Sequence, residues 1–364
     1  MPLKTRFRLA VQVLTPLHIG TGHTLRQDFD YVLSDGRVLR LHEERFLEWI
    51  SARGEDFARL TQGVPPGQIL GSNPAPHLVR YALPGTPMNT QEIRECVKDA
   101  FDRPYLPASS LKGALRTVLL WQAWREANLS LNRVRLGDNP KFAAKELEKD
   151  VFGKTPHEDL LKALRLADSR PADKDRLIVV NVRCVSRAAR DGIPLALEAV
   201  APKTTFLVDG HVDETAFQPW GNWSKKGFLP AEKRAWLDWE RLAWAARERA
   251  RERIHRDMAW AQHVGIDRTP WKELLAQISA PNLKGFPLQI GYGTGWLGTT
   301  LGTALLADLK FAEVYRNPKN RMGFNPKTRR QTPLERFPAS RRLARLNQTN
   351  QPLGWVWVVP KEEP

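Results

Sequence analysis

The chain has 364 residues, enough for two domains or for one domain with large insertions, and carries 56 lysines and arginines against 40 acidic residues. The formal net charge of +16 favours a polyanionic partner over a small neutral substrate. No apolar run approaches the roughly 18 to 20 residues that span a bilayer, so we expect no membrane span. Cys96 and Cys184 form no metal or disulfide motif. We therefore expect a cytoplasmic protein without a metal or a cofactor.

The N-terminal part of the chain predicts strands, with one short helix. Residues 5–14 alternate polar and apolar side chains and predict a half-buried strand. Residues 29–41 predict a hairpin around Asp35-Gly36, and residues 42–52 predict the helix. A loop rich in Pro and Gly is expected from Gly63 to Pro76.

The segment YLPASSLKGALR, residues 105–116, has the features of a helix start that binds an anion. Pro107 suits the first turn, and Ser109 or Ser110 suits the cap. Lys112 and Arg116 are four residues apart and therefore share one helix face. Free N–H groups, hydroxyls and cations together attract phosphate. The alternative is a well-capped surface helix with solvated cations.

The middle of the chain combines strands with one long basic helix. Residues 176–187 predict a strand, and two shorter strands are expected on either side of Pro202. Residues 231–262 predict a continuous amphipathic helix, which could dock on RNA or on a membrane. We prefer a solvated helix with Glu–Arg pairs such as Glu248 with Arg251 and Glu252 with Arg256.

The segment LQIGYGTGWLGTTLGTALL, residues 288–306, places several glycines after a short strand. It matches neither the dinucleotide fingerprint nor the P-loop. A Gly-rich loop holding Tyr292 and Trp296 suits close passage of a nucleic-acid backbone, with aromatic faces free for bases. The alternative is a tight turn with two packed aromatic rings. The basic segment that follows is either a phosphate-contacting segment or a flexible surface loop, and includes Lys327, Arg329, Arg330, Arg336, Arg341, Arg342 and Arg345.

Five motifs together resemble the RAMP superfamily of type III CRISPR systems, most closely the cap subunits of type III-A Csm effector complexes. They are TPLHIGTG, YLPASSLKGALR, EAVAPKTTF, GYGTGWLGTT and the NPKTRR…QPLGWVWV ending. The resemblance implies an α+β fold built from ferredoxin-like, RRM-like units with helical insertions. A Gly-Ile-Pro break predicts two such domains, 1–195 and 196–364, although a single elaborated unit is the alternative.

The resemblance also implies a function. It predicts a non-catalytic subunit of a ribonucleoprotein that caps the 3′-end side of a CRISPR RNA and contributes to its maturation and to antiviral defence. The implied partners are CRISPR RNA, neighbouring backbone and small subunits, and host nucleases. The predicted RNA-binding residues are Ser109, Ser110, Lys112, Arg116, His18, Gly291, Gly293, Gly295, Trp296, Lys327, Arg329 and Arg330.

Two other classes of function stay open. A RAMP-fold endoribonuclease that processes CRISPR RNA could use His18 as general base, although His18 also belongs to a motif of non-catalytic relatives. The aspartates Asp28 and Asp30 lie at a strand entry rather than in a slicing loop, and no histidine or carboxylate set matches a metal motif. A basic adaptor that uses protein contacts alone would bind almost independently of salt.

Overall fold

The computed structural model describes residues 3–131, 144–186, 192–218, 229–280, 283–325, 329–346 and 348–362. Within these ranges the strands are β1 (Lys4–Val13), β2 (Gly20–Arg26), β3 (Tyr31–Ser34), β4 (Arg37–Leu41), β5 (Val79–Pro84), β6 (Glu92–Cys96), β7 (Leu164–Leu166), β8 (Leu177–Ser186), β9 (Leu195–Val200), β10 (Thr205–Asp213), β11 (Phe286–Gln289), β12 (Phe324–Asn325), β13 (Arg330–Gln331), β14 (Ser340–Leu346), β15 (Thr349–Gln351) and β16 (Trp355–Glu362). The α-helices are α1 (Glu43–Ser51), α2 (Gly54–Thr61), α3 (Pro66–Leu70), α4 (Ala108–Glu126), α5 (Lys145–Phe152), α6 (Trp239–His263), α7 (Thr269–Ser279), α8 (Gly295–Thr299), α9 (Gly302–Leu305) and α10 (Phe311–Arg316). None of these helices is long and apolar enough to cross a membrane.

Two large sheets organise the fold. One has the order β11-β16-β1-β10-β7 and the other the order β15-β14-β8-β9-β6-β2. Strand β1 pairs antiparallel with both β10 and β16, whereas β6 and β9 pair in parallel. The helices are segregated from these largely antiparallel sheets, so the α+β class that the sequence predicted is confirmed.

Each large sheet contains strands from both sides of residue 195. A piece that ended at residue 195 would leave β1 without either of its two neighbours, β10 and β16. This pairing favours the single elaborated unit that the sequence left as an alternative. The division into domains 1–195 and 196–364 stays a prediction.

The main core lies between the five-stranded sheet and α4. Alternate residues of β1 are buried, among them Phe7, Leu9 and Val11, as the alternating pattern predicted. Leu111 and Leu115 of α4 belong to the same apolar cluster. The strand at 5–14, the hairpin around Asp35-Gly36 and the helix after Pro107 are therefore confirmed within one or two residues.

Two predicted elements differ from the structure. The loop expected from Gly63 to Pro76 contains the short helix α3. The single helix expected over 231–262 is broken at Asp238, which has an extended backbone between a 3-10 helix, Ala231–Leu237, and α6. The break accompanies packing: Arg234 of the first piece donates three hydrogen bonds, of 2.8, 2.9 and 3.0 Å, to buried Glu214 and one of 2.8 Å to Asp238.

Helix α6 directs several of its arginines into the interior. Arg249 Nη2 donates to the backbone oxygens of Leu297, Gly298 and Thr300 at 3.2, 2.6 and 3.3 Å. Burial lowers the pKa of Arg249 to about 10, so the guanidinium stays charged at neutral pH. The preferred expectation of a solvated helix is confirmed for the Glu248–Arg251 pair but is wrong for Arg249. It is also wrong for the Glu252–Arg256 pair, because Glu252 lies 3.6 Å from Arg125 and Arg256 donates to the backbone oxygen of Thr303.

Asp257 joins α6 to the six-stranded sheet. Its carboxylate lies 2.9 Å from Nε of Arg253, on the same helix, and 2.8 Å from Nε of Arg341, on β14. The Asp257 and Arg253 side chains are almost completely buried. One carboxylate therefore compensates two buried guanidinium groups.

Replacing this carboxylate should destabilise the protein strongly. We expect Asp257→Asn to lower the free energy of unfolding by about 3 to 5 kcal/mol, because two guanidinium groups then lose their buried counter-charge. Urea unfolding followed by tryptophan fluorescence measures the change. The control is Glu248→Gln, which removes a half-exposed pair with Arg251 and should cost less than about 1 kcal/mol. Equal costs would contradict this role for Asp257.

Candidate nucleic-acid interface

One face of the first turns of α4 is open to solvent. It carries Ser109, Lys112, Gly113 and Arg116, which follow each other at three- and four-residue spacing. The predicted cap by Ser109 or Ser110 is wrong, because these are the second and third helical residues and the N-cap is Pro107, without a side-chain cap hydrogen bond. We call this surface, with Ser110, the α4 face.

A carboxylate already occupies part of the helix start. Asp168 accepts a hydrogen bond of 2.7 Å from the backbone N–H of Ala108, the first residue of α4. An acid at this end is favourable because it faces the positive pole of the helix. A phosphate on the α4 face would therefore depend on the side chains of that face more than on this N–H group.

The two cations of the α4 face have different surroundings. Arg116 forms ion pairs of 2.7 Å with Asp159 and 3.0 Å with Glu148, and its guanidinium lies 3.9 Å from the ring centroid of Phe152. Lys112 forms no hydrogen bond or ion pair with the part of the chain that the structure describes. Burial, and then the nearby Arg165 guanidinium, lower the pKa of Lys112. Lys112 is thus a half-buried cation that is available for an added anion.

Arg116 and Trp296 line the same cavity, which has a volume of about 680 Å³. The two segments that the sequence singled out separately thus meet here. The apolar part of its wall includes Leu120, Leu301 and Phe311. Its charged lining residues are Arg116, Lys145, Glu148, Lys149, Lys154 and Asp159. We call it the α4–α8 cavity.

Trp296 is more enclosed than the sequence indicated. Its ring centroid lies 4.7 Å from that of Phe337 and 6.0 Å from that of Phe311. A Cβ added at Gly302 would lie 2.7 Å from the indole, so this glycine makes room for the ring. Trp296 therefore serves as a packed wall of the cavity, in agreement with the alternative of packed aromatic rings.

The first half of the Gly-rich loop packs against the six-stranded sheet. Gly291 and Gly293 have φ of +76° and +89°, and a Cβ at Gly293 would lie 2.7 Å from Leu353. The guanidinium groups of Arg94 and Arg342 lie 5.1 and 4.9 Å from the ring centroid of Tyr292. Only glycine combines positive φ with such close packing. Gly295, at φ +63°, instead borders open space.

His18 is buried and contacts the Gly-rich loop at Tyr292. It is 2% exposed, its Nδ1 donates a 2.6 Å hydrogen bond to the backbone oxygen of Glu198, and its own backbone oxygen accepts from Tyr292 N–H at 2.8 Å. Burial lowers the pKa of His18, and the charges of Arg94 and Lys98 act in the same direction. A neutral, enclosed imidazole of this kind positions the loop, and its contact with RNA stays a prediction.

The basic hairpin β12–β13 borders the α4–α8 cavity. The Gln331 amide donates to the backbone oxygen of Met322, which lines the cavity, at 2.9 Å. Arg329 and Arg330, which precede Gln331, are exposed. Lys327 lies outside the described residues.

Sequence reasoning did not select several residues of these clusters. Arg94 lies in a stretch without clear periodicity, and Arg165 lies on a strand of only three residues. Glu198 is fully buried, and its carboxylate lies 2.5 Å from Lys98 Nζ. A polar residue at the centre of an apolar strand pattern is the only sequence signal for Glu198. The described residues contain no group of three or more His, Cys, Asp or Glu side chains that could hold a metal ion.

Known proteins resemble this chain over most of its length. Residues 10–297 match the family model described as the RAMP superfamily. A protein named CRISPR system Cms protein Csm5 from Streptococcus thermophilus is 33% identical over 120 residues, which are 31% of this chain and only 32% of that protein. The protein of the same name from Methanocaldococcus jannaschii is 22% identical over 305 residues, 80% of this chain and 71% of that protein.

A solved structure has the same fold. It is a chain of the cryo-EM structure of a Csm–crRNA–target RNA ternary complex in a type III-A CRISPR-Cas system. The TM-score is 0.73 at 24% sequence identity, and the match covers 97% of this chain and 100% of that chain.

The buried histidine predicts a specific pH dependence of stability. The pKa of His18 is lower in the folded state than in the unfolded state, so its contribution is present above about pH 6.5 and is lost as the pH falls. Between about pH 7 and 5.5, the wild-type protein should lose about 1 kcal/mol more unfolding free energy than His18→Asn. Urea titrations at both pH values measure the difference, with the exposed His157→Asn as control. Parallel losses in all three proteins would contradict a neutral, buried His18.

Proposed function

We propose, from the premise that this chain belongs to the RAMP superfamily, that it is a non-catalytic RNA-binding subunit of a type III-A CRISPR effector complex. In this role it caps the 3′-end side of the CRISPR RNA and contributes to maturation of that RNA and to antiviral defence. Its partners are the RNA, the neighbouring backbone and small subunits, and host nucleases. The similarity to proteins named Csm5, and to a chain of a Csm complex with RNA, supports the proposal.

One observation carries the proposal. Arg116 and Trp296, from segments far apart in sequence, line the α4–α8 cavity, and cations lie at its charged side. The apolar wall suits one unstacked base, while the α4 face beside it offers hydroxyls and a cation to the phosphate of the same nucleotide. Such contacts read the backbone and the shape of a base, so they accept any RNA sequence.

Each residue of the α4 face has a different part in this binding. Lys112, which is free of internal partners among the described residues, contacts the phosphate directly, together with Ser109 and Ser110. Arg116 is held by Asp159 and Glu148, so it presents a fixed guanidinium edge to the cavity. The Gly-rich loop, with Gly291, Gly293 and Gly295, continues the RNA path beyond Trp296.

Gly113 gives independent support, because it costs stability in the free chain. Gly113 is not at an end of α4, and it is exposed to solvent. Its φ is not positive, and a Cβ added there would meet no atom within 4 Å. A glycine at such a position is destabilising by about 0.5 to 1 kcal/mol relative to alanine. A close approach of the RNA backbone at this point explains why the smallest residue stands there.

Replacement of Gly113 should change protein stability and RNA affinity in opposite directions. We expect Gly113→Ala to raise the unfolding free energy by about 0.5 to 1 kcal/mol and to weaken RNA binding, because the methyl group meets the RNA. Gly54→Ala is the control for RNA binding, since Gly54 is the first residue of α2, has open space around it and is far from the α4 face in sequence. Unchanged RNA affinity of Gly113→Ala, measured by filter binding, would exclude a close approach there.

A crosslinking footprint tests the proposed function itself. Ultraviolet crosslinking of the complex purified from its host, followed by peptide mapping, should mark residues 105–120 and 288–300 with nucleotides of the CRISPR RNA 3′ end. Trp49, which lies under the Arg53 guanidinium at 4.4 Å, provides a control peptide with a similar Arg–Trp pair outside the proposed path. An intact complex without crosslinks in either segment would reject the proposal in favour of the adaptor alternative.

The endoribonuclease alternative gains no support from the described residues. Its proposed base, His18, is enclosed between Glu198 and the Gly-rich loop and does not line the α4–α8 cavity. A general base must reach the 2′-hydroxyl of its substrate. We therefore retain the non-catalytic role.

A further inference from the structure

One face of the five-stranded sheet is open to solvent along β7, β10 and the first half of β1. The side chains of β1 alternate strictly, so that Phe7 and Leu9 face the core while Lys4, Arg6 and Arg8 face outward. Farther along the same face, Trp355 and Trp357 of β16 are covered by α6 and α7. The open part is therefore a limited area beside the edge strand β7.

The strand register places basic residues side by side on this face. Arg165 of β7 is opposite His211 of β10, and His211 is opposite Arg6 of β1. Directly opposed residues in antiparallel strands point to the same side of the sheet. Arg8 is likewise opposite Lys361 of β16. We call the surface formed by Lys4, Arg6, Arg8, Arg165, His211 and Lys361 the basic sheet face.

The acids on this surface compensate only part of its charge. Asp209 forms a 2.5 Å ion pair with Arg8 and also lies 3.8 Å from Arg170. Asp213 is opposite Lys4. The pKa of His211 is lowered by burial and by Lys4, Arg165 and Arg6, whereas Asp213 acts in the opposite direction. Three cations, Lys4, Arg6 and Arg165, thus act on His211 against the carboxylate of Asp213.

The basic sheet face approaches the start of α4 at the edge strand β7. After burial, the charge of Arg165 is the main cause that lowers the pKa of Lys112. The chain that follows β7 also leads directly to Asp168, whose carboxylate accepts from the first N–H group of α4. The segment that follows Arg165 therefore lies against the start of α4.

We infer that the basic sheet face binds the backbone of single-stranded RNA, as an extension of the path that begins at Lys112. The inference rests on the proposed function, because it takes the α4 face as the start of that path. Neighbouring strands place Arg165, His211 and Arg6 in a row with steps of about 4.8 Å. Phosphates can follow such a row without any base readout.

The composition of the face favours RNA over a protein partner. Protein interfaces centre on aromatic and other large apolar side chains and are depleted of lysine. The apolar residues on the open part of this face are Ala10 and Leu207, which are small or half-buried. No Phe, Tyr or Trp side chain lies on the outward face of the described part of β1, β7 or β10, so the cations of this face favour contact with phosphate.

The test compares two RNA lengths and two variants of the full chain. The face variant combines Arg6→Gln, Arg165→Gln and Lys361→Gln, and the α4 variant is Lys112→Gln. A short single-stranded RNA occupies only the α4 face and cavity, whereas a long one reaches the basic sheet face. The control combines Arg37→Gln and Lys272→Gln, exposed cations on β4 and α7.

We expect the face variant to bind the short RNA normally and the long RNA at least about tenfold more weakly at 0.1 M salt. For the long RNA, the slope of log affinity against log salt concentration should also be lower by about 2. Each single-strand phosphate contact contributes about 0.7 to this slope, and the variant removes three cations. The α4 variant should weaken both RNAs, and the control neither.

Three results would overturn the inference. If the face variant bound the long RNA with unchanged affinity and salt slope while Lys112→Gln weakened it, only the basic sheet face would be rejected. If the face variant instead lost neighbouring subunits from the purified complex and bound both RNAs normally, the face would be a protein interface. If the unmodified chain, free and in the complex, bound neither RNA, the proposed function would be rejected as well.

Discussion

The position of the Gly-rich loop depends on buried arginines of α6. The short helix α8 ends in backbone oxygens that have no partner within the helix, and Arg249 donates to the oxygens of Leu297, Gly298 and Thr300. The planar guanidinium reaches several acceptors at once, which a lysine ammonium does less well. Since Trp296 lies on α8, the wall of the α4–α8 cavity is set by a side chain from a distant helix.

Because several arginines are bonded inside the fold, the net charge of the chain overstates how many cations are available to a partner. Arg249, Arg253 and Arg341 contribute to the formal charge of +16, yet their guanidinium groups are used within the fold. Arg116 is likewise bound by two carboxylates. A basic composition therefore indicates a polyanionic partner only where cations lie on the surface without internal partners. Lys112 meets that condition among the described residues. It is therefore a stronger indication of an RNA partner than the total charge is.

The elements that could be predicted from the sequence are those whose signal is local. The alternation in β1, the Asp35-Gly36 hairpin and the apolar spacing of α4 each lie within about twenty residues, and the structure confirms them. The break at Asp238 and the burial of Arg249 depend on partners elsewhere in the chain, since Arg249 bonds residues 48 to 51 positions away. In the site, i to i+4 spacing placed Lys112 and Arg116 on one face. It could not reveal Asp159 and Glu148, which lie 43 and 32 positions from Arg116.

These carboxylates limit how tightly a single phosphate can be held. Asp168 occupies the N–H group of Ala108, and Asp159 stays within 2.7 Å of Arg116, so an incoming phosphate meets two acids beside one free ammonium. Opposing charges of this kind reduce the net attraction at any one nucleotide. Stable retention of RNA then requires several weak contacts joined by the covalent backbone, because each contact raises the effective concentration of the next. A path that extends from Lys112 to the cations of the basic sheet face meets this requirement, whereas the α4 face alone does not.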